Sequence, residues 1–445
     1  MAMRRDRPFG PAGPLGLLLA AALVPAGAAG QEPVIPLQLS LSDPGARSMG
    51  LGGAFVALAD DATAALANPA GLVQLVDPEV SVEGRRWSYS TPFTVGGRAE
   101  GLPSGLGIDT IAGLRTDRSR NTIDGISFLS VAYPKGKGTV ALFRHQLANF
   151  EFASETQGLF GGGTECCQIR FFGQRATARL DLVSYGISAA YRVHERLALG
   201  LGALYHEASL AAEATMYLPD DWPEGGAAGL FSPTSFSPER SLLRQRSFFD
   251  GTDWALSAGF LWWLAPGWTV GGVYRQGPEA DFGVELTAGQ AGDFGVPPGG
   301  VLTRITGVGF ELPGLAGLGF AYRAPADRLT LSFQWDRVDY STIVTSLGLD
   351  DVAVDDADEL HLGGEYVFLG STPVLAVRLG AWLDPDHQLR HTGDDPFVLA
   401  LEPRGRDEIH LTAGLGVAYR RFQIDLGVDL ADWQDAVSIS AVYGF

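Results

Sequence analysis

Asp60 and Asp61 stand side by side in a stretch, residues 45–72, built mostly of Gly, Ala and other small or apolar residues. Two adjacent carboxylates there call for ion pairing, because an unpaired buried charge is costly. Arg144, Arg192, Arg378 and Arg420 are the candidate partners. Asn68-Pro69 is a turn starter that would end a short helix over residues 58–66. Gly50-Leu51-Gly52-Gly53 opens like a dinucleotide loop, but position 55 is Phe and no βαβ unit follows. His387 and His391 are four apart in a Pro/Asp/Gly-rich loop, not on a helix, so they do not read as a metal pair. The acidic run from Asp350-Asp351 to Asp358-Glu359 reads as a solvated outer loop, not a calcium site. Ser332 and His361 could form a Ser–His pair, but no spacing singles them out. The chain has no HExxH, no GxSxG and no Walker loop. We read it as a non-enzyme with no cofactor and no metal. Cys166 and Cys167 are adjacent, a geometry that strains a disulfide; a vicinal bridge, a partner bridge and two free thiols all stay open.

The elements that must position these residues follow from composition. Residues 1–30 read as a secretory signal: Arg4, Arg5 and Arg7, then an apolar run, then Ala28-Ala29-Gly30. No later stretch has the length and apolarity of a membrane-spanning helix. An exported chain without such a helix is either soluble or a β-barrel in an outer membrane. The net charge of −19 excludes nucleic acid as a partner. Glycine, 59 of 445 residues, exceeds the usual share of about 7%, as expected where backbones approach closely.

From residue 79 onward the chain alternates apolar and polar at period two, the mark of strands with two unlike faces. Phe422, Ile424, Leu426, Val428 and Leu430 share one face, against Gln423, Asp425, Gly427 and Asp429. The same pattern recurs at 409–420 and 329–336. Such a face could meet another sheet or lipid. Three features favour lipid. The segments number fourteen, an even count that an antiparallel barrel needs to close. Their connections alternate short, such as Pro134 to Lys137, and long, such as 213–248. The last segment carries apolar residues at every second place and ends in Tyr443-Gly444-Phe445. Aromatics near the segment ends, among them Trp87, Tyr89, Tyr133, Tyr191, Trp262, Trp268, Trp382 and Tyr419, suit the headgroup level.

Met49 to Phe55, Ala59-Asp60-Asp61-Ala62 and Asn68-Pro69-Ala70 resemble the N-terminal hatch of FadL-type outer-membrane transporters, a family that also includes PorV-like proteins. The resemblance spans nearly the whole mature chain. It implies an all-β membrane protein: a 14-stranded antiparallel transmembrane barrel (79–445) with a small N-terminal plug (31–78) in its lumen, in a bacterial outer membrane after signal cleavage. It implies passive uptake of hydrophobic molecules, fatty acids or hydrocarbons. It places a hatch or gate at Asp60, Asp61, Asn68, Pro69 and Ala70. Trp222, Phe231, Phe236, Phe160 and Phe171 become candidates for docking ligand on the outer loops, or for packing together over the mouth. Phe445 and Tyr443 resemble the signal read by the barrel assembly machinery. Outer-membrane lipid is the other expected partner. A PorV-like role in type IX secretion, binding protein cargo, and a plugged diffusion porin are the alternatives. The family releases ligand sideways at a kinked strand; the segment at 138–150 has no internal Gly or Pro to make one.

Overall fold

The computed structural model describes residues 40–41, 43–162, 169–348, 352–393, 399–400 and 405–445. The expected signal, Cys166, Cys167, Asp350 and Asp351 lie outside them. The period-two segments pair antiparallel, each with its sequence neighbours, into a closed 14-strand barrel. Its strands are β1 (Glu79–Arg98), β2 (Leu114–Lys135), β3 (Gly138–Thr156), β4 (Gly173–His194), β5 (Leu197–Tyr217) and β6 (Ser241–Ala265). Then come β7 (Trp268–Arg275 and Glu279–Ala288), β8 (Val301–Glu311 and Leu315–Arg323), β9 (Leu329–Val338) and β10 (Ala357–Phe368). The last are β11 (Val374–Asp384), β12 (Glu408–Tyr419), β13 (Phe422–Leu430) and β14 (Gln434–Gly444). Pairing of β14 with β1, from Glu79↔Gly444 to Tyr89↔Gln434, closes the cylinder.

Burial resolves the choice between sheet-on-sheet packing and lipid. On β13 Ile424 is 50% exposed while Asp425 is 1% exposed. Leu329, Leu331, Phe333 and Trp335 of β9 are likewise exposed, and Thr330, Ser332, Gln334 and Asp336 buried. A water-soluble sandwich would invert this; a barrel with an apolar outer band requires it. Tyr133, Tyr191, Trp262, Trp268, Tyr366 and Tyr419 are exposed beside the short turns, forming one girdle. Trp87, Tyr89 and Trp382 do not join it. Trp87 and Tyr89 are buried on the inner face, and Trp382 stacks between two histidines there, so these three serve the lumen.

Strand length differs round the wall: β6 has 25 residues and β13 has 9. About 9–11 tilted residues span a bilayer, so the early strands rise far beyond it. The stretch marked as a long loop at 151–177 is largely strand, and strands also take both ends of 213–248, up to Tyr217 and from Ser241.

Two places interrupt the wall. The β2–β3 pairing runs only from Lys135↔Gly138 to Phe128↔His145. Beyond it β2 stays on β1 as far as Leu114, and β3 stays on β4 as far as Thr156. No Gly or Pro causes the parting. It coincides with a bulge on each strand, Leu147 in β3 and Ser127 in β2, and an extra residue of this kind bends its strand. The second interruption involves Gly277-Pro278 in β7 and Pro313-Gly314 in β8. The two strands stay joined there, with Leu312 N–H donating to Pro278 O at 2.9 Å. Ladder pairing of β7 with β6 lapses between Phe249↔Phe282 and Ser257↔Arg275.

The described part of the N-terminal segment fills the lumen. It holds α1 (Ala46–Gly50), α2 (Ala64–Ala67) and a 3₁₀ turn (Pro69–Gln74). The helix expected over 58–66 is shorter and later, because residues 55–59 form turns and Asp61 accepts from Thr63 N–H at 2.9 Å just before α2. α1 packs on β11 to β14, and the 3₁₀ turn on β2 to β6.

Leu379 lies mid-strand on β11, 72% exposed to the outside. Leu379→Arg is expected to lower barrel stability by about 2–4 kcal/mol, read by denaturant titration in phosphatidylcholine vesicles. Thr330→Val on the inner face is the comparison.

Candidate functional site

Backbone contact fixes the plug in place. Gly200, Gly259, Gly271, Gly363, Gly380 and Gly427 occupy inward positions of the wall. A Cβ at Gly380 would fall 2.4 Å from Gly52 N, and one at Gly200 2.3 Å from Ala70 N. Only glycine allows that approach. The plug's polar backbone is then satisfied by inward side chains, as burial demands. Gln334 Oε1 accepts from Phe55 N–H and Val56 N–H at 2.9 and 2.8 Å. Glu83 accepts from Gly45 N–H at 2.8 Å, and Ser188 donates to Ala65 O at 2.6 Å.

Asn68 is fully buried. Its amide donates to Val56 O at 2.8 Å and Phe260 O at 3.0 Å, while its oxygen accepts from Ala70 N–H at 3.1 Å. Asn68, Pro69 and Ala70 thus form the cap and first turn of the 3₁₀ segment. The Asp pair finds different cations from those expected. Asp60 pairs with Arg47, inside the plug itself, and with Arg323 of β8 at 3.0 Å. Arg47 also meets Glu365 at 3.1 Å, and Arg378 bridges Glu365 and Asp425 at 2.7 Å each. Burial opposes the charge on Arg47, but Asp60 and Glu365 hold its pKa well above the usual arginine value. Burial raises the Asp61 carboxyl, with Arg47 acting against it. Arg378 joins this network one residue removed, whereas Arg192 donates to Val73 O and Arg144 to wall groups. Arg420 lies over Tyr419.

Above the plug a cavity encloses roughly 1180 Å³ of atom-free space, its mouth included. Its apolar lining is Met49, Trp87, Tyr89, Phe150 and Leu315. Tyr89 and Phe150 meet edge to face at 5.5 Å, Phe150 stacks on Phe152 at 6.4 Å, and Phe152 meets Phe93 edge to face at 6.2 Å. This aromatic ladder follows β3 beyond the point where it leaves β2. The lining also carries Asp336, Glu359, His361, Asp384, Glu408, His410 and Asp429, from consecutive strands β9 to β13. Glu359 is therefore a strand residue facing inward, not part of a solvated loop. Sequence reading missed this second group because its members come from β9 to β13 and share no motif.

The outer aromatics pack on one another. Phe160, Phe171 and Phe231 are buried; Phe160 stacks on Phe231 at 5.6 Å and lies under Arg170. Phe236 meets Tyr217 edge to face at 5.5 Å, and Trp222 is half-buried. They roof the taller side of the barrel. Tyr443 and Phe445 stand at the opposite end, exposed, with Phe445 N–H donating to Pro78 O at 2.9 Å.

No family model and no curated protein matches the chain. Solved structures do, each over nearly its whole length. A Pseudomonas aeruginosa FadL homologue superposes with a TM-score of 0.62 at 15% identity, covering 92% of this chain and 99% of that one. The Ralstonia pickettii toluene transporter TbuX gives 0.57 at 15%, covering 91% and 99%. The P. putida toluene transporter TodX gives 0.55 at 14%, covering 91% and 99%. At such identities the likeness is one of architecture. The molecule is a plugged membrane-spanning barrel, and its fold is the FadL type.

Arg47→Ala would leave Asp60 and Glu365 short of a cation in a buried setting. Local opening of residues 46–67 is expected to become easier by about 3–5 kcal/mol, measured by native-state amide exchange with the wall strands as reference. A second prediction concerns pH. His387 is buried just past β11, stacked on Tyr340 at 4.2 Å. Burial disfavours its charge, but Asp384 at 3.2 Å prevails and raises its pKa from 6.5 to about 9. The folded value exceeds the unfolded one, so this stabilisation is complete below about pH 6.5 and is lost as pH rises through about 9. Protection of residues 385–391 should fall over that window, and His387→Gln should flatten the dependence.

Proposed function

We propose that this protein is an outer-membrane channel for passive uptake of hydrophobic molecules, fatty acids or hydrocarbons, with release sideways into the bilayer. The observation that carries the reading is the junction of two features. The aromatic part of the cavity lining, Trp87, Tyr89 and Phe150, adjoins the segment of wall where β3 has left β2. A greasy solute gains nothing by entering an aqueous space; a route from an aromatic-lined cavity directly to hydrocarbon lets it stay out of water. TbuX and TodX are named as toluene transporters and CymD as a monoaromatic hydrocarbon channel, which supports the same class of cargo.

In this reading residues 1–30 direct export, and Tyr443 and Phe445 present the last strand to the assembly machinery. The plug, through Asp60, Asp61, Asn68, Pro69 and Ala70, closes the direct path to the other side. An open diffusion pore fits poorly with a plug bonded to the wall on both sides of the lumen. Capture of protein cargo fits poorly with outer aromatics that bury one another.

Purified protein in liposomes should accelerate entry of a fluorescent long-chain fatty acid or of toluene over protein-free vesicles. Ala148, 4% exposed, lies on β3 just past the parting. Ala148→Trp should slow that entry at least tenfold without loss of the folded barrel on unheated gels. Equal rates with and without protein would overturn the function. Equal rates for wild type and Ala148→Trp would overturn the sideways route alone.

A further inference from the structure

We propose that Asp336, Glu359 and His361 form a binding site for one divalent transition-metal cation, Zn²⁺ being the best match, which fastens the plug to the wall. Asp336 on β9 lies directly across the ladder from Glu359 on β10, and His361 is two residues further along, on the same inward face. One donor atom from each lies within 4.8 Å of the others. Asp336 is 1% and His361 5% exposed.

The tautomer of His361 decides what this cluster can do. Its Nδ1 is 2.7 Å from Gly52 O, a carbonyl that only accepts, so Nδ1 carries the hydrogen. In the neutral ring Nε2 then presents a lone pair. That atom is 3.5 Å from Asp336 Oδ2 and 3.5 Å from Glu359 Oε2, yet has no hydrogen-bond partner. Asp336 Oδ1 also has none. Two carboxylates facing a lone pair in a buried cluster repel unless a proton on Nε2 or a metal cation lies between them. The two 3.5 Å spacings from Nε2 suit a metal: with bonds of about 2.0–2.1 Å, tetrahedral donors sit about 3.3–3.4 Å apart.

The outer contacts are those of a metal ligand set. A ligating imidazole commonly gives its other N–H to a carbonyl, as His361 does to Gly52. Asp336 accepts from Gln334 Nε2 at 2.7 Å, and the other end of Gln334 holds Phe55 and Val56 of the plug. Both supports therefore end on plug backbone. One imidazole with two carboxylates favours Zn²⁺ and its neighbours over Ca²⁺ or Mg²⁺, which prefer all-oxygen sets. All three residues line the cavity, so the remaining coordination position faces water or cargo.

The test uses full mature protein in detergent, stripped with EDTA and titrated with ZnCl₂ by calorimetry. One Zn²⁺ per chain is expected. The double variant Asp336→Asn, Glu359→Gln keeps the size of both side chains and should bind at least 100-fold more weakly, while Asp181→Asn binds as wild type. Zn²⁺ should slow amide exchange across residues 50–56 in wild type and not in the double variant. Cobalt in wild type alone gives a check independent of any variant: an intense visible band of four- or five-coordinate Co²⁺ is expected. No stoichiometric Zn²⁺ binding by wild type would overturn the site and indicate a protonated His361 bridging two carboxylates. Undiminished binding by the folded double variant, or a weak octahedral cobalt spectrum, would overturn it equally.

Discussion

Backbone must touch backbone for this barrel to be blocked at its middle. A segment as small as residues 43–78 cannot fill a fourteen-strand lumen through long side chains without leaving voids, and packed interiors tolerate few. The chain meets this by making both surfaces small: Ala and Gly on the plug, glycine at the facing wall positions. A Cβ at Gly259 would fall 2.2 Å from Asn68 Oδ1, and one at Gly271 2.4 Å from Val56 O. Glycine weakens an isolated strand, but here each such strand is held on both edges by its neighbours. Part of the high glycine content thus belongs to the contact between the two parts, while other glycines, such as Gly105, Gly136, Gly295 and Gly348, serve turns and loops at positive φ.

Once the backbone is that close, its polar groups lose access to water, and the inner face of the wall has to supply partners. Gln334, Ser188, Glu83 and His361 do so, Gln334 reaching two plug N–H groups and the others one carbonyl or N–H each. Charge is handled the same way. Arg47 sits between Asp60 of the plug and Glu365 of the wall, and Arg378 passes the chain on to Asp425. A buried network of this kind contributes little net stability, but it is costly to break. It fixes register between plug and barrel more than it holds the barrel itself together.

The strands were legible in the sequence because lipid imposes a strict alternation, and Ile424 against Asp425 or Leu331 against Ser332 shows it without ambiguity. The plug was legible as a small-residue stretch with an Asp pair. The pairing was not. Arg47, thirteen residues away in the same stretch, is the closest cation to Asp60, and only the fold of the plug back on itself brings them together. The parting of β2 and β3 was hidden for another reason. A bulge at Leu147 needs no special residue, so a search for Gly or Pro passes over it. The polar lining of the cavity was invisible because Asp336, Glu359, His361, Asp384 and His410 meet only when four strands are laid side by side.

These observations also decide which part can move at least cost. The plug is attached at both sides of the lumen by close backbone contact, several buried hydrogen bonds and a charge network. The parted edge of β3 is stitched by far less. Tyr89 Oη donates to Asn149 Oδ1 at 2.7 Å, Asn121 Nδ2 to Glu151 O at 3.0 Å, and Ala153 N–H to Ser119 Oγ at 3.1 Å. Each such bond is worth about 0.5–1.5 kcal/mol net, and side chains replace the ladder that a continuous wall would have. Opening that edge needs only a few of them to exchange partners, whereas withdrawing the plug would strand buried amides and carboxylates together. The wall at this edge therefore gives way before the plug does.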